Sequence, residues 1–85
     1  MSKYVVACDL LTSGENYDQL LDQLKVLGAV RVTETTWILN SNLTVEQVGR
    51  RIVPHVVRAF VGELAGLASW LNPLSEDEEI KAMLR

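Results

Sequence analysis

The feature that most constrains this chain is an unbroken apolar run close to its amino terminus. Residues 4–8 read Tyr-Val-Val-Ala-Cys, and a single carboxylate, Asp9, ends the run. A strand that is apolar at consecutive positions offers no face to water, so both of its faces must be covered in the fold. We therefore predict that residues 3–10 form the first and central strand of a sheet.

The spacing of apolar residues after this run predicts a helix. Side chains at positions i, i+3, i+4, i+7 and i+10 form one stripe along a helix, and such a stripe packs against a core. Gly28 follows the stripe, and glycine readily adopts the left-handed conformation that ends many helices. We expect this helix to begin near Ser13. The stripe consists of Tyr17, Leu20, Leu21, Leu24 and Leu27.

Shorter patterns predict three more strands and a second helix. Residues 29–34 alternate apolar and polar side chains, and residues 35–40 are rich in β-branched and aromatic ones, which together predict a hairpin. Thr44 and Gln47 have the spacing of a capping box, which marks the beginning of a helix. Residues 56–64 predict the last strand of the sheet.

The carboxyl-terminal residues predict a short helix with its charges in the order that the helix dipole favours. Ser75 and Glu78 have the spacing of a second capping box, and acidic residues crowd the first turn. The apolar face of this helix would dock on the body of the protein or on a partner. That face consists of Ile80, Met83 and Leu84.

Length and composition set the domain organisation. The chain has 85 residues, of which 48% are hydrophobic. A chain of this length forms one domain with a thin core. So apolar a composition leaves some apolar surface exposed in a monomer, which favours a homodimer. We assign residues 1–72 to one domain and residues 73–85 to the short helix with the acidic start.

Charge and cysteine content exclude several classes of protein. The formal charge of −3 has the wrong sign for a general nucleic-acid binder, although a local basic patch stays open. One cysteine and one histidine build neither a disulfide framework nor a cysteine zinc site. No run reaches the roughly 18 apolar residues of a membrane span, and no signal-peptide pattern is present. We expect a cytoplasmic protein with no membrane partner.

The order strand, helix, strand, strand, helix, strand predicts a ferredoxin-like α+β fold. In that fold both helices lie on one face of a four-stranded antiparallel sheet. The first strand is nevertheless apolar on both faces, so the second face also needs a cover. A second copy of the chain is the economical cover, which again favours a homodimer.

Several segments resemble those of a known family. They are Cys8-Asp9-Leu10 at the end of the first strand, Leu27-Gly28 at the end of the helix, the hairpin over residues 30–39, and the segment Phe60-Val61-Gly62-Glu63-Leu64. Together they resemble the small CRISPR-associated "Cas-two" proteins and, more closely, their SinR-like relatives. The resemblance covers about residues 3–70.

The resemblance implies a homodimer formed through the sheets, in which a carboxyl-terminal segment, here residues 65–72, often crosses to the partner. In nuclease members of the family, the aspartate that ends the first strand pairs with its symmetry mate. The two carboxylates hold a Mg²⁺ ion that activates water against a phosphodiester. Asp9 is the one position here that can inherit this catalytic and metal-binding role. No cofactor is required otherwise.

Each candidate site residue also has an ordinary structural interpretation. Asp9 could be a solvated strand end that caps the turn after it. Four arginines could form a patch for nucleic acid if they converge across a dimer, or they could be solvated or paired with glutamates. These are Arg31, Arg50, Arg51 and Arg58.

Trp37 and Trp70 could stack on bases, but they lack a basic surround and are instead predicted to lie in the core or in a dimer interface. The predicted interface residues are Tyr4, Val6, Trp37 and Trp70. Two functions follow from the sequence. The first is a homodimeric, non-catalytic interaction or adaptor module for protein or nucleic-acid partners. The second is a Mg²⁺-dependent endonuclease acting on RNA or DNA through paired Asp9 carboxylates.

Overall fold

A computed structural model describes residues 1–10, 14–52, 54, 56–66 and 68–84, without the side chains of residues 10, 14–17 and 57. Four strands and three helices alternate along these residues. In chain order they are β1 (Ser2–Leu10), α1 (Gly14–Val26), β2 (Val30–Thr33), β3 (Thr36–Ser41), α2 (Val45–Ile52), β4 (Val56–Glu63) and α3 (Asp77–Leu84). None of the helices within the described ranges is long and apolar enough to cross a membrane.

The four strands form one sheet in the order β2-β3-β1-β4, and every neighbouring pair is antiparallel. β1 therefore lies between β3 and β4, as its two-sided apolarity predicts. β1 and β2 run parallel to each other with β3 between them, and β3 and β4 run parallel with β1 between them. The predicted α+β fold with a four-stranded antiparallel sheet is confirmed.

The main core lies between one face of the sheet and helices α1 and α2. Alternate residues of a strand point to the same face, so Tyr4, Val6 and Cys8 of β1 all face the helices. The Tyr4 hydroxyl donates a hydrogen bond to the carbonyl oxygen of Leu43 at 2.7 Å, which satisfies its one polar group. The other buried members of this core are Leu20, Leu24, Trp37, Leu39, Val48 and Ile52.

The predicted ends of the first two helices are confirmed by their hydrogen bonds. Gly28 has a φ of +76°, and its N–H donates to the carbonyl of Lys25 at 3.0 Å just after α1 ends. At the start of α2, the Thr44 N–H donates to Oε1 of Gln47, and the Gln47 N–H donates to Oγ1 of Thr44. Leu20 and Leu24 of the predicted stripe are buried, whereas the Tyr17 side chain lies outside the described residues.

The second face of the sheet is partly covered by α3 of the same chain. The Ile80 side chain is only 1% exposed, and it packs with Val5 and Ile38 of the sheet. Two hydrogen bonds hold the end of α3, because Nζ of Lys3 donates to the carbonyl of Leu84 and Nδ2 of Asn40 donates to the carbonyl of Met83, both at 2.7 Å. A second copy is therefore not needed over this part of the sheet.

The capping of α3 differs from the predicted Ser75–Glu78 box by one residue. Here the N–H of Glu76 donates to Oε1 of Glu79 at 3.3 Å, and α3 begins at Asp77. The predicted docking of Ile80 on the body of the protein is confirmed.

Truncating the buried apolar side chain of α3 tests this packing. We expect Ile80→Ala to lower the free energy of unfolding by about 2–4 kcal/mol, because it removes buried methylenes and leaves a cavity. Val26→Ala is the matched control, since Val26 is 75% exposed at the end of α1, and it should change stability by less than about 0.5 kcal/mol. Urea denaturation followed by circular dichroism measures both. Equal effects of the two substitutions would contradict the docked position of α3.

Candidate interaction surface

Part of the second face remains uncovered, along β1 and β4. Helix α3 contacts β2 and β3, and its eight residues span only about 12 Å. The exposed area beyond it, which we call the β1–β4 strip, consists of Ala7 and Asp9 from β1 with Arg58 and Phe60 from β4. With Thr35 they line an open hollow of about 260 Å³. The strip carries one exposed aromatic side chain beside two exposed charged ones.

Phe60 is the main apolar group of the strip. It lies opposite Ala7 in the β1–β4 register, and 68% of the residue is exposed. Its ring lies beside Gly62, because a Cβ built on Gly62 would come within 3.0 Å of Cε1 of Phe60. The glycine thus leaves room for the ring to lie down on the sheet. A large aromatic group held flat against a sheet and open to water is typical of a partner-binding surface.

Asp9 and Arg58 form an ion pair at one end of the strip. They are directly opposite in the register, and Nη1 of Arg58 lies 3.3 Å from Oδ2 of Asp9. Both side chains are largely exposed, at 78% for Arg58 and 64% for Asp9. An exposed pair of this kind contributes at most about 1 kcal/mol to folding. Its main consequence is that one positive and one negative group stand next to Phe60.

The four arginines predicted to bind nucleic acid are not brought together within one chain. Arg31 lies on the helix-covered face, where its guanidinium carbon is 5.2 Å from the centroid of the Trp37 ring and its Nε donates to the carbonyl of Glu34. Arg58 lies on the opposite face and at the opposite edge of the sheet. Arg50 and Arg51 are exposed in the last turn of α2.

Three of the four residues predicted at a dimer interface lie inside the single chain. Tyr4, Val6 and Trp37 are 4%, 0% and 2% exposed, and they pack under α1 and α2. They are corrected to core residues, because in β1 and β3 their alternate positions point to the helices. Trp70 is half-buried on its own chain, and its Nε1 donates to Oδ1 of Asp77 at 3.0 Å.

Sequence reasoning did not single out Phe60 as a surface residue. It stands in the run Ala59-Phe60-Val61, which is as apolar as a core strand. Two features of the sequence could have indicated that Phe60 is exposed. Gly62 lies two residues further on the same face of the strand, and the last strand, β4, lies at an edge of the sheet.

Asp9 is the only acidic side chain among the described residues that line the hollow. Groups of three or more histidine, cysteine, aspartate or glutamate side chains that could hold a metal are not found in the described part of the chain. The carboxylate of Asp18 lies away from the hollow, beside Arg31 and Trp37 in a cleft between α1 and β2. Within the described residues, the hollow thus offers Asp9 as a single carboxylate ligand with the Arg58 guanidinium beside it.

Cys8 lies under the strip, on the core side of β1. It is 5% exposed and opposite Ala59. Burial raises the pKa of the Cys8 thiol above its usual value, the negative charge of Asp9 raises it further, and the positive charge of Arg31 opposes both. Since the thiolate is the reactive form, this cysteine is held in its unreactive form at neutral pH.

Comparison with known proteins gives no relative for this chain. No family model, no curated protein and no solved structure matches it.

The raised pKa of Cys8 predicts a loss of stability at high pH. Below the ordinary thiol pKa of 9.0 the thiol is neutral in both the folded and the unfolded chain, so the thiol adds no dependence on pH. As the pH rises above that value, the unfolded chain loses its proton first, and the free energy of unfolding falls.

The measurement is chemical denaturation of the wild type and of Cys8→Ala between pH 7 and pH 10.5. The difference in free energy of unfolding between the two proteins should shrink as the pH rises past about 9, since all other titrating groups are shared. A difference that stays constant over this range would show that the folded thiol has an ordinary pKa.

Proposed function

We propose that the protein is a homodimeric interaction module in which Phe60 of the β1–β4 strip contacts a second copy of the chain. The observation that carries this proposal is the exposed ring of Phe60, held flat on an uncovered sheet. Burial of an aromatic side chain is one of the largest contributions that a single residue makes to an interface.

The charges of the strip favour a second copy as the occupant. A two-fold axis brings together two identical surfaces, so a surface with charge of a single sign would repel itself. The strip carries one arginine and one aspartate, Arg58 and Asp9, and these already balance each other. Two copies can therefore meet without accumulating charge of one sign around Phe60.

The ferredoxin-like fold is part of this proposal. Helix α1 joins β1 to the parallel strand β2, α2 joins β3 to the parallel strand β4, and each pair of strands encloses a third. Two interleaved strand-helix-strand units of this kind agree with a split arrangement. The Cas-two-like and SinR-like resemblance of the sequence implies the same architecture, together with a dimer.

The role of the dimer would be to present its outer surfaces to protein or nucleic-acid partners. Arg50 and Arg51 support this role, because both are exposed on α2, away from the face that carries the strip. They would stay accessible after dimerisation. An adaptor role in a CRISPR-associated or related assembly is what the resemblance implies for such a dimer.

The second candidate is a Mg²⁺-dependent endonuclease, and the exposure of Asp9 is what favours it. The carboxylate lies on the strip, so a dimer that stacks its two strips face to face would bring two Asp9 side chains to the same side. A shared ion would need them within about 4 Å, given Mg–O distances of about 2 Å. The ion would also have to compete with Arg58, which already contacts Oδ2.

The interaction proposal predicts that Phe60→Glu dissociates the dimer. The substitution places a charge at the centre of the apolar contact, and the dissociation constant should rise by at least about 30-fold. Sedimentation equilibrium measures it, and circular dichroism checks that the fold is retained. Val26→Glu is the matched control, because it places the same charge on another exposed apolar residue and should leave the dimer intact.

A wild-type protein that is monomeric at every concentration would overturn the proposal. So would a Phe60→Glu variant that dimerises as tightly as the wild type.

A nuclease assay separates the two candidate functions. We expect purified dimer to leave single- and double-stranded RNA and DNA intact in Mg²⁺ or Mn²⁺, and Asp9→Asn to dimerise normally. The control is Asp22→Asn, which removes an exposed carboxylate from α1. Metal-dependent cleavage that Asp9→Asn abolishes and Asp22→Asn retains would instead establish the endonuclease.

A further inference from the structure

The two edge strands of the sheet, β2 and β4, differ in how far other parts of the chain cover their outer edges. At the β2 edge, the backbone N–H of Leu74 donates to the carbonyl of Val32 at 3.2 Å, and β2 has only four residues. At the other edge, β4 has eight residues and pairs only with β1 among the described strands. Free edges are usually protected by lysine, proline or a bulge. The sequence of β4 contains neither lysine nor proline, and its one register shift against β1 lies at the start of the strand, so the pairing is regular from Arg58 to Glu63.

One hydrogen bond shows which backbone groups of β4 point away from β1. The N–H of Leu64 donates to the carbonyl of Lys3 at 2.7 Å, so it points toward β1. Along an antiparallel strand the N–H groups point alternately to the two sides. Those of Ala59, Val61 and Glu63 therefore point away from β1, toward the free edge.

The side chains of β4 make this edge complementary to itself. An antiparallel pairing about a two-fold axis at Val61 places Phe60 opposite Gly62 of the partner subunit, and Gly62 opposite Phe60 of the partner subunit. A large ring thus lies over a residue without a side chain on both sides of the axis, and the two rings are diagonal neighbours. On the other face, Ala59 lies opposite Glu63 of the partner subunit, so this pairing opposes no like charges.

We infer that two copies pair through their β4 edges in this register, so that two four-stranded sheets become one sheet of eight strands. This inference rests on the proposed function, because it specifies how the two copies of the module meet. The pairing closes at a dimer, because a two-fold axis between the two β4 strands uses the β4 edge of both copies. It pairs the outward backbone groups of β4 and brings the two Phe60 rings next to each other across the axis.

Amide hydrogen exchange of the wild-type protein tests the inference directly. Exchange rates are measured by NMR at protein concentrations below and above the dissociation constant from sedimentation. The amides of Ala59, Val61 and Glu63 should exchange at least about ten-fold more slowly in the dimer. Those of Phe60 and Gly62, which point to β1, should be protected at both concentrations.

A pair of variants provides a second readout. Ala59→Pro removes one outward N–H, and proline is tolerated at an edge where the N–H faces solvent. The dissociation constant of the dimer should rise by about ten-fold or more, because one hydrogen bond between the subunits is lost. Ala59→Val keeps the N–H and should dimerise as the wild type does.

The outcomes separate this inference from the proposed function. A dimer whose Ala59, Val61 and Glu63 amides exchange equally fast at both concentrations would overturn edge pairing, while the interaction module would stand with a face-to-face contact. A protein that never dimerises would overturn both.

Discussion

The fold depends on covering both faces of one strand. In β1, Tyr4, Val6 and Cys8 are buried under α1 and α2, and Val5 on the other face is half-buried beside Ile80 and Leu84 of α3. Two helices are enough for one face of a four-stranded sheet of this size, but a third element has to close the other. The chain supplies it from its own carboxyl terminus, and the eight residues of α3 reach across only part of that face. The part of this face that α3 leaves uncovered is the β1–β4 strip.

The local features of the fold could be predicted from sequence because they depend on neighbouring residues. The stripe that contains Leu20 and Leu24, the left-handed Gly28 and the capping box at Thr44 all involve interactions within a few positions along the chain. The same holds for β1, whose composition alone indicates burial on both faces. The capping box of α3 was predicted one residue too early, at Ser75 instead of Glu76. The sequence does not distinguish these two positions, because an acidic residue follows each of them.

The remaining features could not be predicted because distant parts of the chain decide them. The bond from Lys3 to the carbonyl of Leu84 joins residues 81 positions apart, and with it α3 covers part of the face for which the sequence had suggested a second copy. Trp37 and Phe60 are both aromatic residues in apolar strands, yet one is buried and the other is exposed. Hydrophobicity alone does not distinguish them; the difference is whether a helix lies on that face at that strand.

The register of β1 against β4 has a consequence for how many sites a dimer would contain. Asp9 lies opposite Arg58, three residues along β4 from Val61 and one strand further from the edge. With about 3.4 Å per residue and about 4.8 Å between strands, a two-fold axis at Val61 would separate the two Asp9 residues by roughly 25 Å. Edge pairing and a shared metal ion therefore exclude each other. An edge-paired dimer carries two distant Asp9–Arg58 pairs, one at each end of a continuous sheet, so any ligand of these charges would bind with a stoichiometry of two per dimer.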